Sequence, residues 1–263
     1  MVSKRVLALT LALSMAAFAP MTFVTAAQAQ TAPECVAGAD LDARVAGAMA
    51  RTDRPDTQRG KDDSRLSENR FLLAHVKPGD HVLDLGSGGG YASMLLSAAV
   101  CDGSVDAQNP ADWVADPKDL ASIQATFASR PNIHMITSDF TKVPTPAQKY
   151  DVIFIGTIYH DTFNEPDHDA VAMDKALGSL LKDDGIIVLT DHKTVDGAGT
   201  SATNTLHRID KATVLADFKA AGFKLVEDSD ALANPADDHT LKVFDPTVRG
   251  KTDRMALVFK KGW

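Results

Sequence analysis

The stretch His81-Val82-Leu83-Asp84-Leu85-Gly86-Ser87-Gly88-Gly89-Gly90-Tyr91 decides the fold. An apolar run of strand length carries an acid near its end, passes into a glycine cluster and continues as an amphipathic segment, residues 91–99, with helical spacing. The spacing predicts a strand, a tight loop and a helix. Glycine allows positive φ and close approach of the backbone to a ligand, and a helix N-terminus offers free N–H groups. Such a unit is built to hold a small molecule.

Working outward, the same alternation continues on both sides. Upstream, residues 64–76 read as a helix and Lys77-Pro78-Gly79-Asp80 as the turn into the strand. Before them, residues 51–63 alternate charges with Pro and Gly, which fits either a solvated linker or a lid over the glycine loop; a short helix precedes it from Asp40 to about Met49. Downstream, strands are predicted at 104–108, 133–137, 150–155, 186–190, 223–228 and 255–260. Helices fall between them. Asp116-Pro117 opens one running to Ser129, another spans 167–181 before Asp184-Gly185, and Asp210 caps a third that Gly222 stops. Strand and helix in alternation give an α/β protein with a doubly wound, mostly parallel sheet of seven strands.

Residues 1–29 have the order of a signal peptide. Lys4 and Arg5 form a positive start, Val6 to about Phe18 an apolar core, and Ala27-Gln28-Ala29 a small-x-small cleavage site. Pro20 and the polar residues behind it leave the run short of the roughly 20 apolar residues of a membrane span. The expected organisation is therefore a signal peptide (1–29), an N-terminal arm and lid (30–63) and one catalytic-type domain (64–263), exported to a periplasmic or extracellular location. Cleavage removes two bases and no acid, taking the formal charge from −8 to −10. An acidic protein is a poor partner for nucleic acid or an anionic membrane; the partner expected from the glycine loop is a small-molecule substrate. Cys35 and Cys101 are the two cysteines and either pair in an oxidising compartment or remain free thiols.

The glycine spacing distinguishes among nucleotide folds. A dinucleotide fingerprint would require glycine at Tyr91, whereas Asp84, Gly86, Gly88 and Gly90 fit D-x-G-x-G-x-G. This resembles the first motif of class I S-adenosylmethionine-dependent methyltransferases. The resemblance implies S-adenosyl-L-methionine as cofactor, with Asp84 at its methionine amino end and Gly86, Ser87, Gly88 and Gly90 under its methionine and ribose. It also implies a last strand antiparallel to the rest. The ribose acid expected close to 20 residues past the loop falls on Asn109, an amide without the charge, with Asp112 as a substitute. Ser138-Asp139-Phe140 matches the adenine pocket, the acid taking the exocyclic amine and the aromatic covering the ring.

In open α/β sheets ligands sit beyond the C-terminal strand ends. There the sequence places Tyr159-His160-Asp161, Asp191-His192 and His207-Arg208-Ile209-Asp210, three of the eight histidines. Neutral imidazole can take a proton from an attacking nucleophile, oriented by a carboxylate. His160 or His192 is the candidate base, Asp161 or Asp191 the orienting acid, and His207 a substrate contact. The bland reading has these acids capping helices and turns. Acids after strands four and five also resemble the divalent-metal site of catechol-type O-methyltransferases. Here His192 would replace an amide and suit zinc, manganese or iron better than magnesium.

Arg54-Pro55-Asp56, Asp191-His192, Gly197, His207 to Asp210, Ala221-Gly222-Phe223, Asn234 to Asp238 and Arg249-Gly250-Lys251-Thr252-Asp253 resemble the signature of a little-characterised family of exported, methyltransferase-like bacterial proteins. The resemblance implies methyl transfer to a small-molecule nucleophile in the cell envelope. The alternative is an exported binding protein, or a metal-dependent enzyme, that keeps the fold and uses the His/Asp rim for other chemistry. The stretch 232–254 is long for a connection between neighbouring strands. It fits a specificity element over the rim, with Arg249 or Lys251 taking an anionic substrate group.

Overall fold

The computed structural model of the chain describes Cys35 and residues 40–262; the segment read as a signal peptide, 1–29, lies outside the described residues. Seven strands form one sheet: β1 (His81–Leu85), β2 (Ser104–Asn109), β3 (Ile133–Thr137), β4 (Tyr150–Gly156), β5 (Leu181–His192), β6 (Phe223–Ser229) and β7 (Arg254–Lys261). Their order is β3-β2-β1-β4-β5-β7-β6. β1 to β5 run parallel, and β7 is antiparallel to both β5 and β6.

The helices are α1 (Leu41–Met49), α2 (Asp56–Arg59), α3 (Asp62–Ala74), α4 (Tyr91–Val100), α5 (Pro117–Phe127), α6 (Tyr159–Thr162), α7 (Ala170–Leu180), α8 (Thr203–Leu206) and α9 (Lys211–Ala220). Helices cover both sheet faces, so the strands alternate between two cores. Val82, Val152, Val188 and Val258 pack with Phe71, Leu95 and Phe127 on one side; Leu83, Ile153, Leu257 and Phe259 pack with Leu177 and Phe218 on the other. Asp84, two residues from Val82, shares Val82's face of β1. Strand order reverses between β1 and β4, which puts the crevice of the switch point above the end of β1, where the glycine loop begins.

The helix ends follow their capping residues. Asp116 accepts the Lys118 N–H at 2.8 Å with Pro117 at the first position, and Asp210 accepts the Ala212 N–H at 2.9 Å. Most boundaries fall within two residues of those the sequence predicts, and three differ in kind or by more. Residues 51–63 are not all loop: they contain α2 and the start of α3. α7 begins at Ala170, because Asp169 rather than Asp167 supplies the cap to Ala172 N–H at 2.9 Å. β5 begins at Leu181, five residues early, since Leu181 already pairs with Tyr150 before a register shift brings Ile186 opposite Val152. Cys35 and Cys101 form a disulfide, with Cα atoms 4.7 Å apart. Among the described residues no helix is long and apolar enough to cross a membrane.

Candidate functional site

Gly86, Gly88 and Gly90 all have positive φ, at 66°, 53° and 77°. A Cβ on Gly90 would lie 2.3 Å from the Phe127 ring, so only glycine lets α4 start here against α5. Gly88 and Gly89 differ: nothing lies within 4 Å of a Cβ built on either. That open space is one wall of a cavity of about 470 Å³, which Asp84, Trp113 and Ile158 also line.

The loop is held from β2. Gly86 N–H donates to Gln108 Oε1 at 3.0 Å, while Gln108 Nε2 donates to the Ser138 carbonyl at 2.6 Å. Asn109 grips Gly88 from both sides, accepting its N–H at 2.7 Å and donating to its carbonyl at 3.1 Å. Asn109, expected at a ribose, thus shapes the loop. Asp139 is not brought to this cavity. It is exposed, pairs with Lys142 at 2.6 Å, and lines a separate cavity with Phe140 and Asp112. Phe140 is buried and meets Trp113 edge-on at 5.7 Å, so Trp113 is the aromatic that reaches the main cavity.

Asp84 is 2 % exposed and accepts the Ser93 hydroxyl at 2.5 Å. Burial pushes its carboxyl up to about 7, so near neutral pH it is poised between charged and neutral. A cation arriving in the cavity would settle it as carboxylate.

The N-terminal arm closes over the loop. Gln58 on α2 donates Nε2–H to the Gly89 carbonyl at 3.0 Å, and its buried Oε1 has no hydrogen-bond partner. The arm is fixed by buried charge. Arg54 makes a two-pronged pair with Asp62 at 2.8 and 2.7 Å, and Asp62 also accepts the Tyr91 hydroxyl at 2.8 Å. Arg130 binds Asp53 the same way at 2.7 and 2.9 Å. Of the alternating charges, Arg54 and Asp62 are buried and Asp53 is half-buried against Arg130, while Asp56, Lys61 and Asp63 stay in solvent.

On the rim, the structure brings four of the five expected groups together around His160. Its Nδ1–H donates to Asp191 Oδ1 at 2.7 Å and its backbone N–H to Asp191 Oδ2 at 2.8 Å. Nε2 lies 3.2 Å from Asp161 Oδ1, which also accepts His207 Nδ1–H at 3.0 Å. Burial opposes charge on His160, but the carboxylates of Asp191 and Asp161 outweigh it and raise the imidazole to about 10. An imidazolium cannot accept a proton, which corrects the expectation of His160 as base. His192 is the opposite case. Burial, together with the positive charges of His160, Arg254 and Arg208, holds it well below the usual range, so it is neutral. Its Nδ1 is 2.8 Å from the Thr252 hydroxyl, and the residue lines a second cavity of about 310 Å³ that shares Lys61, Arg65 and Thr157 with the first. The catechol-type set Asp161, Asp191 and His192 does not converge, because both Asp191 oxygens are occupied by His160 and the His192 N–H.

Sequence reasoning assigned no role to two contributors. Glu68 on α3 is buried, accepts the Thr190 hydroxyl at 2.8 Å and lies 3.1 Å from Arg254 and 3.5 Å from Arg65. Burial alone would raise its carboxyl, but the Arg254 and Arg65 guanidiniums hold it below the usual range. Arg208 is fully buried and anchors the long connection, binding Asp237 at 2.9 and 3.1 Å and the Leu241 carbonyl at 3.0 Å. Val243, Phe244 and Arg249 of that connection then wall the second cavity. Only the helical spacing before the glycine loop hinted at Glu68, and Arg208 stood inside the His207-Arg208-Ile209-Asp210 motif with no role of its own assigned.

No protein-family model matches the sequence, and a search of curated proteins finds no match. Solved structures do match in fold. An S-adenosylmethionine-dependent methyltransferase from Aquifex aeolicus is 18 % identical, with a TM-score of 0.53 over 78 % of this chain and 97 % of that one. The glycopeptide N-methyltransferase MtfA, complexed with S-adenosyl-L-methionine, is 11 % identical, with a TM-score of 0.51 over 75 % and 86 %. The [4+2]-cyclase SpnF is 18 % identical, with a TM-score of 0.52 over 75 % and 80 %. A fold shared with a cyclase does not choose the reaction, which must be argued from the site. The strand order, the single antiparallel strand and these neighbours together give the chain the Rossmann-like fold of class I S-adenosylmethionine-dependent methyltransferases.

Proposed function

We propose that this protein is an S-adenosylmethionine-dependent methyltransferase acting on a small-molecule nucleophile in the cell envelope. The observation that carries the reading is the wall at Gly88 and Gly89, a cradle that any Cβ would fill, beside the buried carboxyl of Asp84. The residues fit the cofactor. Asp84 answers the ammonium of its methionine end, the glycines allow close backbone approach, Trp113 offers a ring face, and the unpartnered Gln58 Oε1 accepts a donor from beneath the arm. Bound there, the cofactor supplies an activated methyl group.

The chain's own part is positioning and one proton. Methyl transfer depends mostly on alignment, which the clamped arm and loop provide by excluding water and fixing the cavity wall. Neutral His192, oriented by Thr252, takes the proton from the attacking hydroxyl, thiol or amine. The charged pair His160–Asp191 holds the β4 and β5 ends in register beside it. Export rests on the sequence of residues 1–29, and the Cys35–Cys101 disulfide supports an oxidising compartment.

Calorimetry of the mature protein with S-adenosylmethionine tests the reading. One site is expected, and Gly88→Val should abolish it while the melting transition persists. Absence of binding at millimolar cofactor would sink the proposal.

A further inference from the structure

A second feature of the rim borders the cofactor cavity through Asp161 and has been given no part in methyl transfer. His160 Nε2 is buried and has no hydrogen-bond partner, although Asp161 Oδ1 is only 3.2 Å away. Nε2 thus meets Asp161 as a charge without an aligned hydrogen bond, and a buried ring nitrogen so poorly satisfied is costly unless something else meets it. Asp161 Oδ1 is also 3.0 Å from His207 Nδ1, and one ligand atom from each of His160, Asp161 and His207 lies within 4.8 Å of the other two.

We infer that His160 Nε2, an Asp161 carboxylate oxygen and His207 Nδ1 form a binding site for a divalent transition-metal ion of the zinc class. Ligand type, spacing and surroundings agree. Two imidazoles and one carboxylate with a further position open is a donor set for a catalytic-type zinc ion, and it disfavours magnesium and calcium, which take oxygen ligands. Bonds of about 2.0–2.1 Å to a tetrahedral ion place its ligand atoms about 3.3 Å apart. The two separations here, 3.2 and 3.0 Å, are close to that value before any ion draws the groups in.

The surroundings supply what a metal site needs beyond its ligands. Metal-binding histidines donate their other ring N–H to a carboxylate or carbonyl, which fixes the tautomer. His160 does this with Asp191, a fully buried carboxylate held in turn by two backbone N–H groups. On entry of the ion the proton on Nε2 leaves to solvent while Nδ1–H stays with Asp191. His207 is held on the other side by the Phe244 ring, 4.9 Å away, and it and Asp161 are about one-quarter exposed, which gives an ion a way in. Asp161 also lines the glycine-loop cavity, so the ion sits at the wall of that cavity, where an acceptor oxygen would complete its coordination.

The inference stands apart from methyl transfer, and the test keeps the two distinct. Full-length protein freed of metal by chelator and dialysis is titrated with Zn²⁺, Co²⁺ and Mg²⁺ in a calorimeter. One Zn²⁺ per chain is expected, Co²⁺ should bind with the visible absorption of a four-coordinate site, and Mg²⁺ should not bind. His207→Ala, chosen because the residue is partly exposed and the fold should survive, and Asp161→Asn should each weaken Zn²⁺ at least tenfold. His134→Ala, on the exposed face of β3, should leave it unchanged. No binding of Zn²⁺ or Co²⁺ below millimolar, or equal Zn²⁺ affinity in wild type and His207→Ala, overturns the site. Titrating the same preparations with S-adenosylmethionine separates the two proposals: binding of that cofactor without metal rejects only the metal site, and the reverse rejects only methyl transfer.

Discussion

Asn109 and Gly88 are joined by two opposed hydrogen bonds, from Gly88 N–H to Asn109 Oδ1 at 2.7 Å and from Asn109 Nδ2 to the Gly88 carbonyl at 3.1 Å. Only a primary amide can make both. A carboxylate would keep the first and set its charge against the carbonyl in the second. Asn109→Asp should therefore loosen the loop, and Asn109→Ala should strand two backbone groups, costing about 1–3 kcal/mol. Urea unfolding checks the cost, and the cofactor titration should weaken in parallel. An Asn109→Asp protein of unchanged stability and tighter cofactor binding would mean that the position belongs to the ribose after all.

The Arg54–Asp62 pair secures the arm. Removing one member of a buried pair leaves the other uncompensated, typically at about 3–5 kcal/mol, whereas replacing both with apolar groups is often neutral. Arg54→Ala should be destabilised by about 3 kcal/mol and cut by trypsin at Arg59 or Lys61 far faster than wild type. The double substitution Arg54→Leu/Asp62→Leu should recover most of the stability, as urea unfolding will show. Equal loss in the single and double variants would point to shape rather than charge.

Asp84 makes cofactor binding depend on pH. With its carboxyl near 7, a cationic ligand finds the carboxylate increasingly available as pH rises, so affinity should grow about tenfold from pH 6 to 8 and then level off. The effect on folding has the opposite sign. A carboxyl raised above its ordinary 3.8 adds stability that is fully present below that pH and is lost as pH rises through about 7. Asp84→Asn should bind the cofactor weakly at every pH and flatten both profiles, measured by calorimetry and thermal unfolding.

His192 should matter to turnover and not to cofactor binding. His192→Asn is expected to lower the rate by about 100- to 10,000-fold at unchanged cofactor affinity. Thr252→Val, which removes only the oriented hydroxyl, should give a smaller loss. Full activity in both variants would remove His192 from the reaction.

Much of the fold was legible in the sequence because it depends on local signals. The glycine loop follows from residue type and spacing, and Asp116, Asp210 and Gly222 mark their helix ends in a single turn of chain. The start of β5 was not legible, since Leu181 becomes a strand residue only by pairing with Tyr150. The site was legible in its addresses rather than its contacts. His160, Asp161, Asp191 and His207 were placed at neighbouring strand ends, but which histidine is charged depends on how two carboxylates divide among three rings across separate loops. Arg54 and Asp62 looked like solvated charges because their pairing, eight residues apart, depends on the fold around Tyr91.

The clamp of Arg208 on Asp237 has a consequence for how this scaffold can diversify. It fixes the root of the long connection, so the outer stretch with Val243, Phe244 and Arg249 can vary without disturbing the strands beneath. The glycine-loop cavity is built from β1, β4, α3, α4 and the arm, and shares only Lys61, Arg65 and Thr157 with the second cavity. If the second cavity takes the methyl acceptor of the proposed reaction, variation at residues 242–250 would retune it with the glycine-loop wall left intact. An engineer seeking new acceptor scope would randomise that stretch and leave Arg208 untouched.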